Sequence, residues 1–258
     1  MSSSVEPGRV LLVGAGPGPV DLMTVRAMRA VKEAGALLYD ALCSEEAIAL
    51  APPGCIRIQT GKRAGKPSMT QGEINRIMLR LARRGLRVVR LKGGDPSIFG
   101  RVGEEAAFLN AYGVATEVVP GVTAACAAAA QFGFPLTHRG QARRVVFTTA
   151  RVQDGAMAHD WRSGADPEAT LAVYMGAEAA PDLARALVAA GRTISTPVAV
   201  IERAGAADAR LTTTSLAALT AGPITTHGGP VLIVVGEVAA AAQAQASNAS
   251  DGFRERAS

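Results

Sequence analysis

Short apolar runs and longer amphipathic stretches alternate along this chain. Val10–Val13, Ala36–Tyr39, Cys55–Ile58 and Leu86–Leu91 read as strands. Leu22–Ala34 reads as a helix, with Asp21 as its N-cap. Thr70-Gln71-Gly72-Glu73 is a capping box that opens a helix to Arg84. Ile74, Ile77, Met78 and Leu81 form its apolar face, and Gly85 stops it in a left-handed turn. A helix over Val102–Tyr112 and a strand over Ala115–Val119 follow. This strand–helix alternation predicts a parallel-rich α/β sheet.

Pro120-Gly121-Val122-Thr123 interrupts the pattern, and a second set begins. An Ala-rich helix runs from Ala124 to about Gln131, followed by strands at Val145–Thr149, Leu171–Tyr174, Val198–Ile201 and Val231–Val235. Pro181 at the start and Gly191 past the end bracket a helix to Ala190. The expected organisation is two α/β domains, residues 9–121 and 122–239, between loose tails at 1–8 and 240–258.

Composition narrows the picture. Apolar residues make up 48% and aromatics only 4%, so Ala, Val, Leu and Ile must fill the cores. The formal charge of +5 favours anionic partners without naming them. From Ile74 to Gly94 there is no acidic residue, and Arg76, Arg80, Arg83, Arg84 and Arg87 read as a solvated face. Cys43, Cys55 and Cys126 are scattered, as are His138, His159 and His227, which supports neither a disulfide framework nor a metal centre. With no signal peptide and no apolar segment of membrane-spanning length, a soluble cytoplasmic protein is expected.

Several loops could carry chemistry. Gly14-Ala15-Gly16-Pro17-Gly18-Pro19 follows the first strand. It lacks the third glycine of a dinucleotide fingerprint, and Pro17 and Pro19 remove N–H donors that a pyrophosphate would need. Such a loop suits a ligand without phosphates. Asp40 ends the second strand, as a turn cap or a working carboxylate. Gly61-Lys62-Arg63-Ala64-Gly65-Lys66 offers cations to carboxylates or phosphates. Gly93-Gly94-Asp95 lets a ligand approach the backbone, with Asp95 placed to accept from a hydroxyl or ammonium group. Arg101 and Glu104 share a helical face, as binding groups or as a plain salt bridge.

Taken in order, these blocks form one pattern. Val13-Gly14-Ala15-Gly16-Pro17-Gly18, Tyr39-Asp40, Gly61-Lys62-Arg63, Arg90-Leu91-Lys92-Gly93-Gly94-Asp95-Pro96, Phe99-Gly100-Arg101, Gly103-Glu104-Glu105, Pro120-Gly121-Val122-Thr123-Ala124, Pro135-Leu136-Thr137-His138-Arg139 and Tyr174-Met175-Gly176 resemble the uroporphyrinogen-III C-methyltransferases. The resemblance runs from about Val10 to Val238 and is densest in the first half. It implies two α/β domains of the tetrapyrrole methylase type with a cleft between them, in a homodimer. It implies methyl transfer from S-adenosylmethionine to C2 and C7 of uroporphyrinogen III, giving precorrin-2 and S-adenosylhomocysteine. The route leads on to sirohaem- or cobalamin-type tetrapyrroles. Residue by residue, it places Pro17, Gly93, Gly94, Asp95, Ile98, Thr123, Ala124, Met175 and Ala204 against the cofactor. Asp40 and Lys62 are implied for acid–base work, and Arg101, Glu104 and Arg139 for the tetrapyrrole cleft.

Two positions depart from the resemblance. Val102 stands where glycine is usual, and Arg151 where a histidine is common. The nearest rival reading is a later precorrin methyltransferase of the same fold. A basic nucleic-acid-binding module would want exposed aromatics among its cations, and the chain has only one Trp, three Tyr and six Phe. A nicotinamide dehydrogenase is disfavoured by the imperfect glycine fingerprint.

Overall fold

The computed structural model describes residues 8–61, 69–150, 162–222 and 224–243. The chain divides into two compact units, the first ending at Thr123 and the second starting at Ala124.

The first unit runs β1 (Val10–Gly14), α1 (Val25–Lys32), β2 (Ala36–Tyr39), α2 (Glu45–Ala49), β3 (Ile56–Gln59), α3 (Gln71–Arg83), β4 (Val88–Lys92), α4 (Val102–Ala111) and β5 (Thr116–Val119). Its five strands lie in the order β3-β2-β4-β1-β5, every pairing parallel. Both faces are covered, which is why β1 and β4 are buried along their whole length. Leu11, Val13, Leu37, Val89 and Leu91 pack against Ala27, Ala30 and Val31 of α1. Val10, Leu12, Leu38 and Val88 pack against Ile74 and Met78 of α3 and Leu109 of α4. The connection from β1 leads to β2 on one side, and that from β4 leads to β5 on the other. A sheet whose connections part in this way opens a crevice at the carboxyl ends of the parting strands.

Local chemistry sets the element ends. At α3 the capping box is complete: the Glu73 amide donates to Thr70 Oγ1 at 3.3 Å, and the Thr70 amide to Glu73 Oε2 at 2.7 Å. Gly85 follows with φ 77°, as the stop predicts. The first helix is shorter than its sequence pattern. Asp21 lies in a 3-10 turn, Val20–Leu22, and the backbone is extended again at Met23 and Thr24, so Thr24 caps Ala27 instead. Arg76, Arg80, Arg83, Arg84 and Arg87 are exposed, as expected of a solvated face.

The second unit runs α5 (Ala124–Gln131), β6 (Arg144–Thr149), α6 (Arg162–Ala165), β7 (Ala169–Tyr174), α7 (Ala180–Ala189), β8 (Pro197–Glu202), β9 (Arg210–Ser215), α8 (Leu216–Thr220) and β10 (Val231–Val235). Its sheet, β6-β7-β10-β8-β9, is mixed, with β6–β7 its one parallel pairing. The polar, threonine-rich β9 pairs along the outer side of β8 and carries no apolar run to betray it. Beyond β10, a 3-10 segment continues to Gln243 with Ala242 fully buried, so regular structure runs a few residues past Ala239. No helix among the described residues is long and apolar enough to cross a membrane.

Candidate active site

The carboxyl edge of the first sheet gathers most of the residues picked out in the sequence. The turns after β1 and β4 are stitched together by backbone alone. The Gly94 amide donates to the Gly16 carbonyl at 2.7 Å, and the Gly16 amide to the Gly94 carbonyl at 3.2 Å. Gly14, Gly94 and Gly121 meet so closely that side chains have no room. A Cβ on Gly121 would lie 2.3 Å from the Gly94 carbonyl oxygen, and one on Gly14 2.7 Å from Gly121 Cα. Gly94 itself has φ 69°, and a Cβ there would make ordinary contact with Thr123 Cα at 3.9 Å and the Val122 carbonyl oxygen at 4.0 Å. This is an edge of bare backbone, with Pro17 in the turn after β1 and the buried Thr123 after β5.

The two aspartates turn out to be fasteners of this edge. Asp95 accepts the Ser97 amide at 2.7 Å and the Gly121 amide at 2.9 Å, so it ties the β4 turn to the end of β5. Each of its oxygens accepts one protein amide, a structural role that stands beside the one expected toward a ligand's hydroxyl or ammonium group. Ile98 donates its amide to the Asp95 carbonyl and completes the turn. Asp40 accepts from the Leu42 amide at 3.0 Å, the Cys43 thiol at 3.3 Å and the Gly93 amide at 3.1 Å. Burial, and then Asp40 beside it, push the Cys43 thiol well up from its ordinary value. Gly61 abuts this turn, since a Cβ there would come 2.6 Å from the Ala41 nitrogen. Lys62, which follows it, lies outside the described residues, as does Arg151.

Arg101 and Glu104 form a two-point ion pair at 2.9 and 2.6 Å, largely exposed on the first turn of α4. The hydrogen bonds from Arg101 hold the Glu104 carboxyl below the usual range, and the same pairing raises Arg101. Arg101 is also one of only four non-glycine residues with a left-handed backbone among those described. The others are Phe99, Met175 and Arg203. Each costs roughly 1–2 kcal/mol, and all four follow the carboxyl ends of β4, β7 or β8. Residues held in sparse backbone regions cluster at ligand sites.

In the second unit, α5 organises that edge. The Ala125 amide donates to the Tyr174 hydroxyl at 3.2 Å, joining the first turn of α5 to the end of β7. Gln131, at the other end of α5, accepts the Gly205 amide and donates to the Ala206 carbonyl, both at 2.8 Å. Ala124, Met175 and Ala204 are thus tied to one helix. Met175 is half-exposed, whereas Ala204 is buried against Ala125 and Ala128. Sequence reasoning took Tyr174 only as part of a motif with Met175 and passed over Gln131, for which the lone amide closing an alanine helix was the available signal. Arg139 stands elsewhere, exposed on a turn closed by His138 and Ala142 that leads into the amino end of β6. Met175 and Ala204 follow the carboxyl ends of β7 and β8, so the sheet does not bring Arg139 beside them.

Residues 9–220 match the family described as Tetrapyrrole (Corrin/Porphyrin) Methylases. The chain belongs to the tetrapyrrole methylases. This methylase is 47% identical over 233 residues to a siroheme synthase of Chromobacterium violaceum, covering 90% of this chain and 49% of that protein. The chain therefore spans about half the length of the siroheme synthases it matches. Among solved structures, it is 41% identical to uroporphyrin-III C-methyl transferase from Thermus thermophilus complexed with S-adenyl homocysteine, with TM-score 0.78 over 90% of this chain and 93% of that one. A cobalt precorrin-4 methyltransferase is 30% identical, with TM-score 0.76 over 88% and 94%. These likenesses extend the two-unit α/β architecture of the methylase to proteins of known fold.

Proposed function

We propose that this methylase is an S-adenosylmethionine-dependent C-methyltransferase converting uroporphyrinogen III to precorrin-2, working as a homodimer. The observation that carries the reading is the 41% identity to the Thermus uroporphyrin-III C-methyl transferase across nearly all of that chain. The lower identity to the cobalt precorrin-4 enzyme ranks a later precorrin step second.

The residues fit the cofactor. Glycines that let the turns after β1, β4 and β5 close on one another build an edge of bare backbone, which suits a ligand lying against backbone, and the two prolines suit one without phosphates. Gly93, Gly94, Asp95, Ile98 and Thr123 with Pro17 would hold it in the first unit. Bound S-adenosylmethionine supplies a methyl group already activated on a sulfonium, so the protein's task is mainly alignment. Asp95 performs that task indirectly, by fixing the Gly121 and Ser97 amides.

The acceptor carries eight carboxylates. Arg101 presents a planar fork to one of them, exchanging or sharing its bond to Glu104. Lys62, implied by the resemblance, adds a second cation. Methylation of a pyrrole carbon leaves a cationic ring that must lose a proton. Asp40 is the acceptor of that proton, and Lys62 or Glu104 assists by charge. Purified protein supplied with S-adenosylmethionine and uroporphyrinogen III is expected to yield a product heavier by two methyl groups. Normal binding of S-adenosylhomocysteine with no mass gain would refute the substrate.

A further inference from the structure

A buried group of charges lies under this site and is used by none of the steps above. Arg90 and Lys92 alternate with Leu91 on β4 and point to the face that α3 and α4 cover. Both are 5% exposed, and Glu105 of α4 is wholly buried between them. Glu105 Oε1 accepts from Lys92 Nζ at 3.0 Å, Arg90 Nε at 3.3 Å and Gln71 Nε2 at 3.0 Å, while Oε2 accepts from Lys92 at 3.0 Å. Gln71 in turn donates to Asn75 on α3. Burial, and then the Arg90 charge, pull Lys92 below its ordinary value, against the pull of Glu105 and Asp40.

Two cations sharing one carboxylate in a dry core are a poor source of stability, because apolar residues of similar volume would serve as well. What the arrangement supplies is direction. Glu105 sits beside Glu104 and one turn after Arg101, and it bolts that turn to the strand that ends in Gly93 and Gly94. Just before it come Phe99 at φ 55° and Arg101 at φ 57°. Strained backbone persists only where its surroundings over-determine it. The strained turn has one anchor on each side: Asp95 to Gly121, and Glu105 to β4.

We infer that Glu105 is a positioning residue for methyl transfer, fixing Arg101 and Glu104 against the glycine turn through Lys92 and Arg90; this rests on the proposed tetrapyrrole reaction. The test is a double-mutant cycle of Glu105→Gln with Arg101→Ala, measured per S-adenosylhomocysteine-binding site in folded protein. Glu105→Gln alone is expected to lower kcat/KM for the tetrapyrrole by about tenfold or more, with S-adenosylhomocysteine affinity within about threefold. In the Arg101→Ala background, it should cost less than about threefold, because its effect passes through Arg101. Equal losses in both backgrounds, or wild-type turnover by Glu105→Gln, would overturn the inference. Should Glu105→Gln fail to fold, Lys92→Met leaves a one-to-one Arg90–Glu105 pair and takes its place in the cycle. There, coupling to Arg101 supports the inference and additivity overturns it. A wild-type protein that binds the cofactor product but methylates nothing would refute the reaction instead, which separates the two failures.

Discussion

Replacing Gly121 with alanine tests the bare-backbone edge most directly. The added Cβ would stand 2.3 Å from the Gly94 carbonyl oxygen and 2.9 Å from Gly14 Cα, and both neighbours are backbone. Carbon–oxygen contacts settle near 3.3–3.6 Å, so the β4 and β5 turns must part by about 1 Å. That movement strains the Asp95–Gly121 bond at 2.9 Å and the paired Gly16–Gly94 bonds. A hydrogen bond to a charged acceptor is worth about 1.5–3 kcal/mol, and overpacking costs about 1–3 kcal/mol. The sum, roughly 2.5–6 kcal/mol, corresponds to a Tm lower by about 5–24 °C in a chain of this size. Thermal unfolding measures that, and calorimetric titration with S-adenosylhomocysteine should show affinity weakened about tenfold or more, since the same turns form that edge. Gly103→Ala is the control, because nothing lies within 4 Å of a Cβ there and the position is helical. It should stabilise by up to about 1 kcal/mol. A Gly121→Ala protein with wild-type Tm and wild-type affinity would show that the glycines are not in contact as described.

Arg101→Ala should leave Tm within a degree or two, because its exposed pair with Glu104 is worth about 1 kcal/mol at most, while tetrapyrrole turnover falls by about tenfold or more; full turnover would remove Arg101 from the site. Tyr174→Phe strips the acceptor from the Ala125 amide and should cost about 1 kcal/mol in denaturant unfolding, with weaker cofactor binding as α5 loosens from β7. An unchanged midpoint would show that bond to be idle. Glu202 accepts the Gly229 and His227 amides and bonds His227 Nδ1. The Gly229 amide first, then the bonds from His227, hold its carboxyl below the usual range. Its stabilising effect is therefore complete above the unfolded carboxylate value near 4.3 and fades as pH falls through the lower folded value. Glu202→Gln should be less stable than the parent at pH 7, with the gap closing towards pH 3. A gap that stays constant across that range would refute the linkage.

Much of the first unit was legible because its determinants are local. A capping box, a stopping glycine and buried apolar runs each announce themselves within a few residues, and α3, β1 and β4 appear nearly where the sequence puts them. Asp21 misled because its cap geometry depends on how two prolines steer the preceding loop. The antiparallel half of the second sheet was hidden for a different reason. Strand direction follows from which partner a strand finds, and β9, built from Thr212, Thr213 and Thr214, earns its place through β8 rather than through burial. The candidate site was legible as a set of residues but not as a set of roles. Asp40 and Asp95 stand where expected, yet the amides that occupy them come from Gly93 and Gly121, 53 and 26 residues away. Nothing in the local sequence foretells those bonds. Glu105 shows the same limit, since its partners are defined only once α4 lies across β4.

The four left-handed side chains also have a practical consequence for anyone engineering this chain. Phe99, Arg101, Met175 and Arg203 are the positions where glycine would relieve backbone strain at once. A heat-challenge screen blind to turnover would collect those substitutions early, each gaining roughly a kcal/mol. Yet each would delete a side chain that follows the carboxyl end of a strand in its own unit. Selection for heat tolerance and selection for methyl transfer should pull these four codons in opposite directions, and thermostabilised variants of this chain should be sought anywhere else.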